Sequence, residues 1–167
     1  SAGGVQGVSD AYGAALWSLD FMFTMAVNGG AGVNFHGGWV SPYSPLIDNR
    51  TNVMRVGPEF YGLKMFSLIP AGNVIPAIIP PTSNTNFTAY GVQQTDGAIS
   101  ALLNNKDTTN TVAVSVNLGT NVVSAQLIEL TGPSLYSSTS YTLGGAIINP
   151  ANGSWNGGVQ EVLSATN

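Results

Sequence analysis

The hydrophobic period changes once along this chain, near residue 70, and that change limits the possible folds more than any other feature. Before it, Ala15, Leu19, Met22, Phe23 and Ala26 recur at the spacing of one buried helix face. A helix is expected from about residue 9 to 28, with Ser9-Asp10 as cap and first-turn acid and Asn28-Gly29-Gly30 as its stop. Ala31 to His36 then has the length and apolarity of a strand, and Gly37-Gly38 breaks it. A loop containing Pro42 and Pro45 leads to a second amphipathic helix over about Pro58 to Leu68, with proline at its permitted first turn.

After Pro70 the period falls to two. Strands are expected at Val74 to Ile79, Phe87 to Gln93, Ala98 to Asn104, Thr111 to Asn117, Ala125 to Leu130, Tyr141 to Leu143 and Ala146 to Ile148. Turn signals such as Thr95-Asp96-Gly97, Asn104-Asn105-Lys106-Asp107 and Gly132-Pro133 separate them. Short strands spaced by turns argue for an antiparallel sandwich over residues 70–167. Residues 1–69, a helix, one strand and a second helix, leave the strand without a pairing partner. The same order makes sense as the tail of a TIM barrel, with its other strands upstream. The expected fold is therefore mainly β: an antiparallel β-sandwich preceded by two helices and one strand resembling the end of a TIM barrel.

Composition narrows the function. Only 7% of the 167 residues are charged and 44% are hydrophobic, against about 25% charged in an average globular protein. Disordered segments pair low hydrophobicity with high net charge, so disorder is not expected. Asn, Ser and Thr replace the missing charges, as in exported β-proteins, and an extracytoplasmic or secreted location is expected, its leader upstream. A net charge of −4 with Arg50, Arg55, Lys64 and Lys106 as the only Lys and Arg residues provides no basic stripe for phosphates, which excludes nucleic acid and anionic membranes as partners. With no Cys and one His (His36), thiolate catalysis and Cys- or His-rich metal sites are excluded, and no cofactor is expected.

Several segments are familiar in order and spacing. Gly3-Gly4, Gly7-Val8-Ser9-Asp10, Ala14-Ala15-Leu16-Trp17 with Leu19-Asp20, and Gly32-Val33-Asn34-Phe35-His36 resemble the stretch following the nucleophile in glycoside hydrolase family 79, the β-glucuronidase and heparanase type. Glu59-Phe60-Tyr61-Gly62-Leu63 with Phe66 resembles that family's closing barrel helix. Leu130-Thr131-Gly132-Pro133-Ser134-Leu135, Thr142-Leu143-Gly144-Gly145 and Gly153-Ser154-Trp155 resemble its C-terminal β-domain.

The resemblance implies a fragment of a retaining β-glycosidase. Retaining hydrolysis needs two carboxyl groups, one to protonate the leaving oxygen and one to attack the anomeric carbon. The positions of the family's acid/base and nucleophile glutamates both fall ahead of residue 1, so no catalytic residue is expected here and the chain should be inactive alone. Asp10 reads as a helix cap, Asp20 as a helix residue, and Asp48, Glu59, Asp96, Asp107, Glu129 and Glu161 as loop, helix-start or strand residues.

The same resemblance implies substrate-binding positions for a glucuronide or related glycoside in the parent enzyme. Backbone N–H groups at Gly3 and Gly4 would face the sugar carboxylate, and Asn34, Phe35 and His36, at the end of the last barrel strand, would line the pocket. Phe35 stands where some relatives carry a Tyr whose hydroxyl binds that carboxylate. His36 reads equally as a pocket residue or as a hydrogen-bonded histidine under a loop, and Trp39 as a sugar-stacking ring or as scaffold. Trp17 is expected in the core, and Trp155 at the end of the sandwich.

Two further readings belong to other classes: a stand-alone carbohydrate-binding module using Tyr90, Tyr136, Tyr141 or Trp155, and a self-associating structural module. The chain stops at Val159 to Asn167, where family β-domains add another strand. An open sheet edge and an apolar helix face call for cover, so the expected partners are a second copy in a homo-oligomer or an N-terminal partner chain.

Overall fold

The computed structural model of the chain describes residues 4–38, 41–80, 85–119 and 122–161. The helical period of the N-terminal segment produces α1, Gly13–Val27. It begins four residues later than expected. Ser9 and Asp10 serve the turn before the helix, the Ser9 hydroxyl accepting from the Val5 N–H at 3.0 Å and the Asp10 carboxylate from the Gly7 N–H. Carbonyls from a distant loop take over the capping role: Tyr12 N–H donates to Ser137 at 2.8 Å and Gly13 N–H to Leu135 at 2.9 Å. At the other end Asn28-Gly29-Gly30 stops the helix as expected, with all three N–H groups returning to carbonyls of the last turn.

The residues between α1 and the second helix depart most from the sequence expectation. No strand forms at Ala31 to His36, because no neighbouring strand supplies ladder hydrogen bonds. Its alternation survives in burial: Val33 and Phe35 pack toward α1 while Asn34 and His36 are exposed. The expected loop around Pro45 contains a hairpin, β1 (Leu46–Asp48) and β2 (Val53–Val56). Its tip is an Asx turn in which the Asn49 carboxamide oxygen accepts from the Thr51 and Asn52 N–H groups. The second helix, α2, spans Pro58–Ser67 with Pro58 at its start, as expected.

Beyond residue 70 the antiparallel pairing is present but divided. β3 (Gly72–Ile75), β4 (Phe87–Gln94) and β5 (Ile99–Asn105) form one three-stranded sheet in that order. β3 ends where Pro76 removes a ladder donor. The run expected over Ala125 to Leu130 splits into β6 (Gln126–Leu127) and β7 (Leu130–Thr131), since β6 pairs with β9 (Gln160–Glu161) and β7 with β8 (Thr142–Leu143). Thr111 to Asn117 alternates well but forms no ladder, and Ala146 contributes only an isolated bridge to Leu143. The architecture is two helices with several small antiparallel sheets, a mixed α/β arrangement with more strands than helices. The described residues form neither a closed barrel nor a clear sandwich.

Two apolar clusters meet on α1. Tyr12, Ala15 and Leu16 enter one with Val56, Tyr61, Tyr141, Leu143 and Ile148; Leu19, Met22 and Phe23 enter the other with Val92 and Leu102. Each fully buried side chain of this size contributes roughly 1.5–3 kcal/mol. α1 and α2 approach closely at Gly62, where a Cβ would overlap the Ser18 hydroxyl and the Ala15 carbonyl. Tyrosine hydroxyls stitch the first cluster. Tyr12 donates to the Leu130 carbonyl at 2.6 Å, Tyr141 to the Val56 carbonyl at 3.2 Å, and Tyr61 accepts from the Ile148 N–H at 2.9 Å. Burial pushes the Tyr12 and Tyr141 phenols up to about 12, so they stay protonated donors.

A polar latch ties α1 to β4 and β5. The Asp20 carboxylate takes the Lys106 ammonium, the Thr88 hydroxyl at 2.6 Å, the Asn104 amide at 2.9 Å and the Tyr90 hydroxyl at 3.2 Å. Burial alone would raise the Asp20 carboxyl, but the hydrogen bonds from Lys106, Thr88 and Asn104 outweigh it and hold the carboxyl below its ordinary value. A group with a depressed folded value adds stability above the ordinary aspartate range and loses it as pH falls through the depressed value. Asp20→Ala is expected to cost about 3 kcal/mol at neutral pH, because it strands the Lys106 charge. Urea unfolding checks the cost, and an acid titration followed by circular dichroism should show a shallower acid loss in the variant.

Candidate functional site

The coil ahead of α1 and the loop after β7 are both tied to the helix start, and a cleft opens between them. Gly7, Val8 and Ser9 reach it through the turn that Ser9 and Asp10 close. Asp10 also anchors this coil to β2 through an ion pair with Arg55 at 3.8 Å. Leu135 and Tyr136 reach the cleft because the neighbouring backbone carbonyls accept from the first N–H groups of α1. Tyr43 is set in place by Ser44, whose buried hydroxyl lies 3.0 Å from the Leu46 carbonyl and 3.2 Å from that of Gly38.

The cleft has a volume of about 460 Å³, within the usual range for small-molecule sites. Its walls are mainly apolar: Val8, Ala11, Ala14, Trp17 and Leu135, with the aromatic rings of Tyr43 and Tyr136. Glu59, in the first turn of α2, is the one carboxyl group among the described residues of the wall. It is only 7% exposed, and its Oε2 is buried without a hydrogen-bond partner among the described residues. Burial pushes its carboxyl up to about 7. No group of three or more His, Asp or Glu side chains among the described residues is placed to hold a metal.

Of the substrate-binding residues singled out by the family resemblance, none of those described lines this cleft. Gly3 and Trp39 fall outside the described residues. Gly4 has a φ of 76°, and a Cβ on it would come within 3.0 Å of Tyr43 and 2.9 Å of Ser9. His36 packs against Tyr43 with ring centroids 5.3 Å apart. Phe35 stands edge-on to Trp17 and Phe21 at 6.4 Å and 6.1 Å. Asn34 is exposed on the far side of that segment's alternation. Gly4 and His36 therefore share Tyr43 as a neighbour, and Phe35 touches a cleft residue, although no strand carries them.

Other placements differ from the sequence reading. Trp17, expected in the core, is 52% exposed and stacks on Phe21 at 5.2 Å. Glu59 was legible as a helix-start acid, but its burial follows from the close crossing of α1 and α2, where the Ser18 hydroxyl lies 3.5 Å from the Glu59 carbonyl oxygen. Tyr43 carried no sequence signal, because its position follows from a hairpin hidden among prolines. Trp155 is half-buried against the first cluster, donates to the Leu143 carbonyl at 2.8 Å, and holds the Lys64 ammonium 5.7 Å over its ring.

The Glu59 carboxyl supplies a pH signature. A raised folded value means that its contribution to stability is present below the ordinary glutamate range and is lost as pH rises through about 7. From pH 5.5 to 8.5 this group alone should remove on the order of 2 kcal/mol. Urea unfolding at the two pH values should show that loss in the native chain and not in Glu59→Gln.

No protein-family model matches the chain, and a search of curated proteins finds no significant match.

Proposed function

We propose that this chain is the C-terminal part of a retaining β-glycosidase of the β-glucuronidase and heparanase type, that it lacks both catalytic glutamates, and that its strand-rich half buttresses a barrel completed by other residues. In that reading the short antiparallel ladders belong to a sandwich, and the parent enzyme is extracytoplasmic and acts on a glucuronide or related glycoside.

The supporting observation is the outer face of α1. A surface helix is ordinarily polar on one side, yet α1 buries Ala15, Leu19, Met22 and Phe23 on one face and presents Trp17, Phe21 and Met25 on the other. Such a helix belongs between two apolar layers, as helices do when a barrel lies on one side and a further layer on the other. Four of the described carboxylates support the non-catalytic half of the reading: Asp10 is paired with Arg55, Asp20 is held by Lys106, and Asp96 and Asp107 cap turns.

The same face of α1 favours self-association as a second reading. Trp17 and Phe21 stack with an interplanar angle of 10°, and Phe35 extends the patch; a second copy could cover it. No helix among the described residues is long and apolar enough to cross a membrane.

The purified chain is expected to release no aglycone from aryl β-glucuronides or other aryl β-glycosides above a buffer control. Turnover that persists through repurification would overturn the assignment of absent carboxylates. Light scattering should report a dimer or larger species, and Trp17→Ser should shift it toward monomer; a monomeric native chain with no copurifying partner would count against both readings of the α1 face.

A further inference from the structure

We propose that the cleft between the start of α1, the start of α2 and the Leu135-Tyr136 turn binds a small apolar molecule bearing one protonated amine, with Glu59 as the counter-charge and Trp17, Tyr43 and Tyr136 as its aromatic walls. This goes beyond the glycosidase reading and shares only Trp17 with the α1 face that reading covers.

Glu59 is only 7% exposed, it lines the cleft, and Oε2 has no donor among the described residues. Buried polar atoms are almost always paired, and leaving one unpaired costs about 1–3 kcal/mol. Glu59 lines the cleft, so a rotation of its carboxyl toward that space would let a ligand N–H supply the missing donor.

The wall chemistry then selects the ligand. A sugar carries hydroxyls all round and needs several convergent polar groups, whereas the described wall offers Glu59, the Ser9 hydroxyl and two phenols amid Val8, Ala11, Ala14, Trp17 and Leu135. An anion would meet the Glu59 carboxylate with like charge. A neutral apolar molecule would fill the cleft but leave Oε2 unpaired. An ammonium on an apolar body satisfies all three constraints: it donates to Oε2, neutralises the carboxylate, and finds aromatic faces whose quadrupoles attract cations. The volume of about 460 Å³ accommodates one ring with a short side chain. The protein's own nearby cation does not serve, since Arg55 is engaged by Asp10 and the Ser138 carbonyl.

Isothermal titration calorimetry of the full chain at pH 8 tests this with phenethylamine, 2-phenylethanol and methyl β-D-glucoside. Phenethylamine is expected to bind saturably and about tenfold or more tightly than the isosteric alcohol, the size of effect a charge-assisted hydrogen bond carries. Glu59→Gln should reduce amine affinity by about the same factor and leave the alcohol unchanged. Trp17→Ala and Tyr136→Ala, at positions 52% and 73% exposed and so tolerant of change, should each weaken the amine several-fold even if the Glu59 variant fails to fold. Absence of saturable amine binding, equal affinity for amine and alcohol, tighter binding of the glycoside, or unchanged amine affinity in a folded Glu59→Gln or in both aromatic variants would overturn the proposal. Because the glycosidase reading is tested by turnover, failure of either leaves the other standing.

Discussion

The organisation of this chain depends on α1 being apolar on nearly every side. A helix that buries one face can sit at a surface; one with two apolar faces must find two layers. The described structure provides the first layer through α2, β4 and β5, and Gly62 lets α2 approach until backbone and side chain touch without an intervening Cβ. The second face carries the stacked Trp17 and Phe21 with Phe35 beside them. Both the proposed barrel context and self-association are answers to the same unfinished burial.

Around this helix the chain solves its polar bookkeeping mostly with side chains. In a composition this poor in charge, the hydroxyls of Tyr12, Tyr61 and Tyr141 and the single carboxylate of Asp20 connect segments more than sixty residues apart. Asp20 gathers an ammonium, two hydroxyls and an amide, so its charge is compensated at close range. Asn104, which donates to both Asp20 and the Leu16 carbonyl, is buried with its own Oδ1 unpaired, so the latch is strong in donors and leaves one acceptor over.

Glu59 presents the opposite case. Its carboxyl is more deeply buried than that of Asp20 but has no cation among the described residues, and the protein meets the cost by holding the neutral form up to about pH 7. A carboxyl poised in this way at the wall of an aromatic, mainly apolar cleft is where a ligand would gain most from a single charge, because the protein has already desolvated its side of the contact.

Periodicity and punctuation determined the two helices, their stop signals, the proline start of α2, and the central pair β4 and β5, since each rests on local spacing and local turn chemistry. Alternation alone did not determine ladders: Ala31 to His36 and Thr111 to Asn117 have the pattern of strands but pair with no strand among the described residues, whereas the β1–β2 hairpin forms among prolines around its Asx turn. Of the candidate site, Glu59 was legible as a helix-start acid, while Tyr43 and Trp17 reach the cleft only through the fold. The exposure of Trp17, the burial of Glu59 and the cleft they share are decided by how α1 crosses α2 and by which distant carbonyls cap α1. Those contacts are non-local, and no spacing along the chain records them.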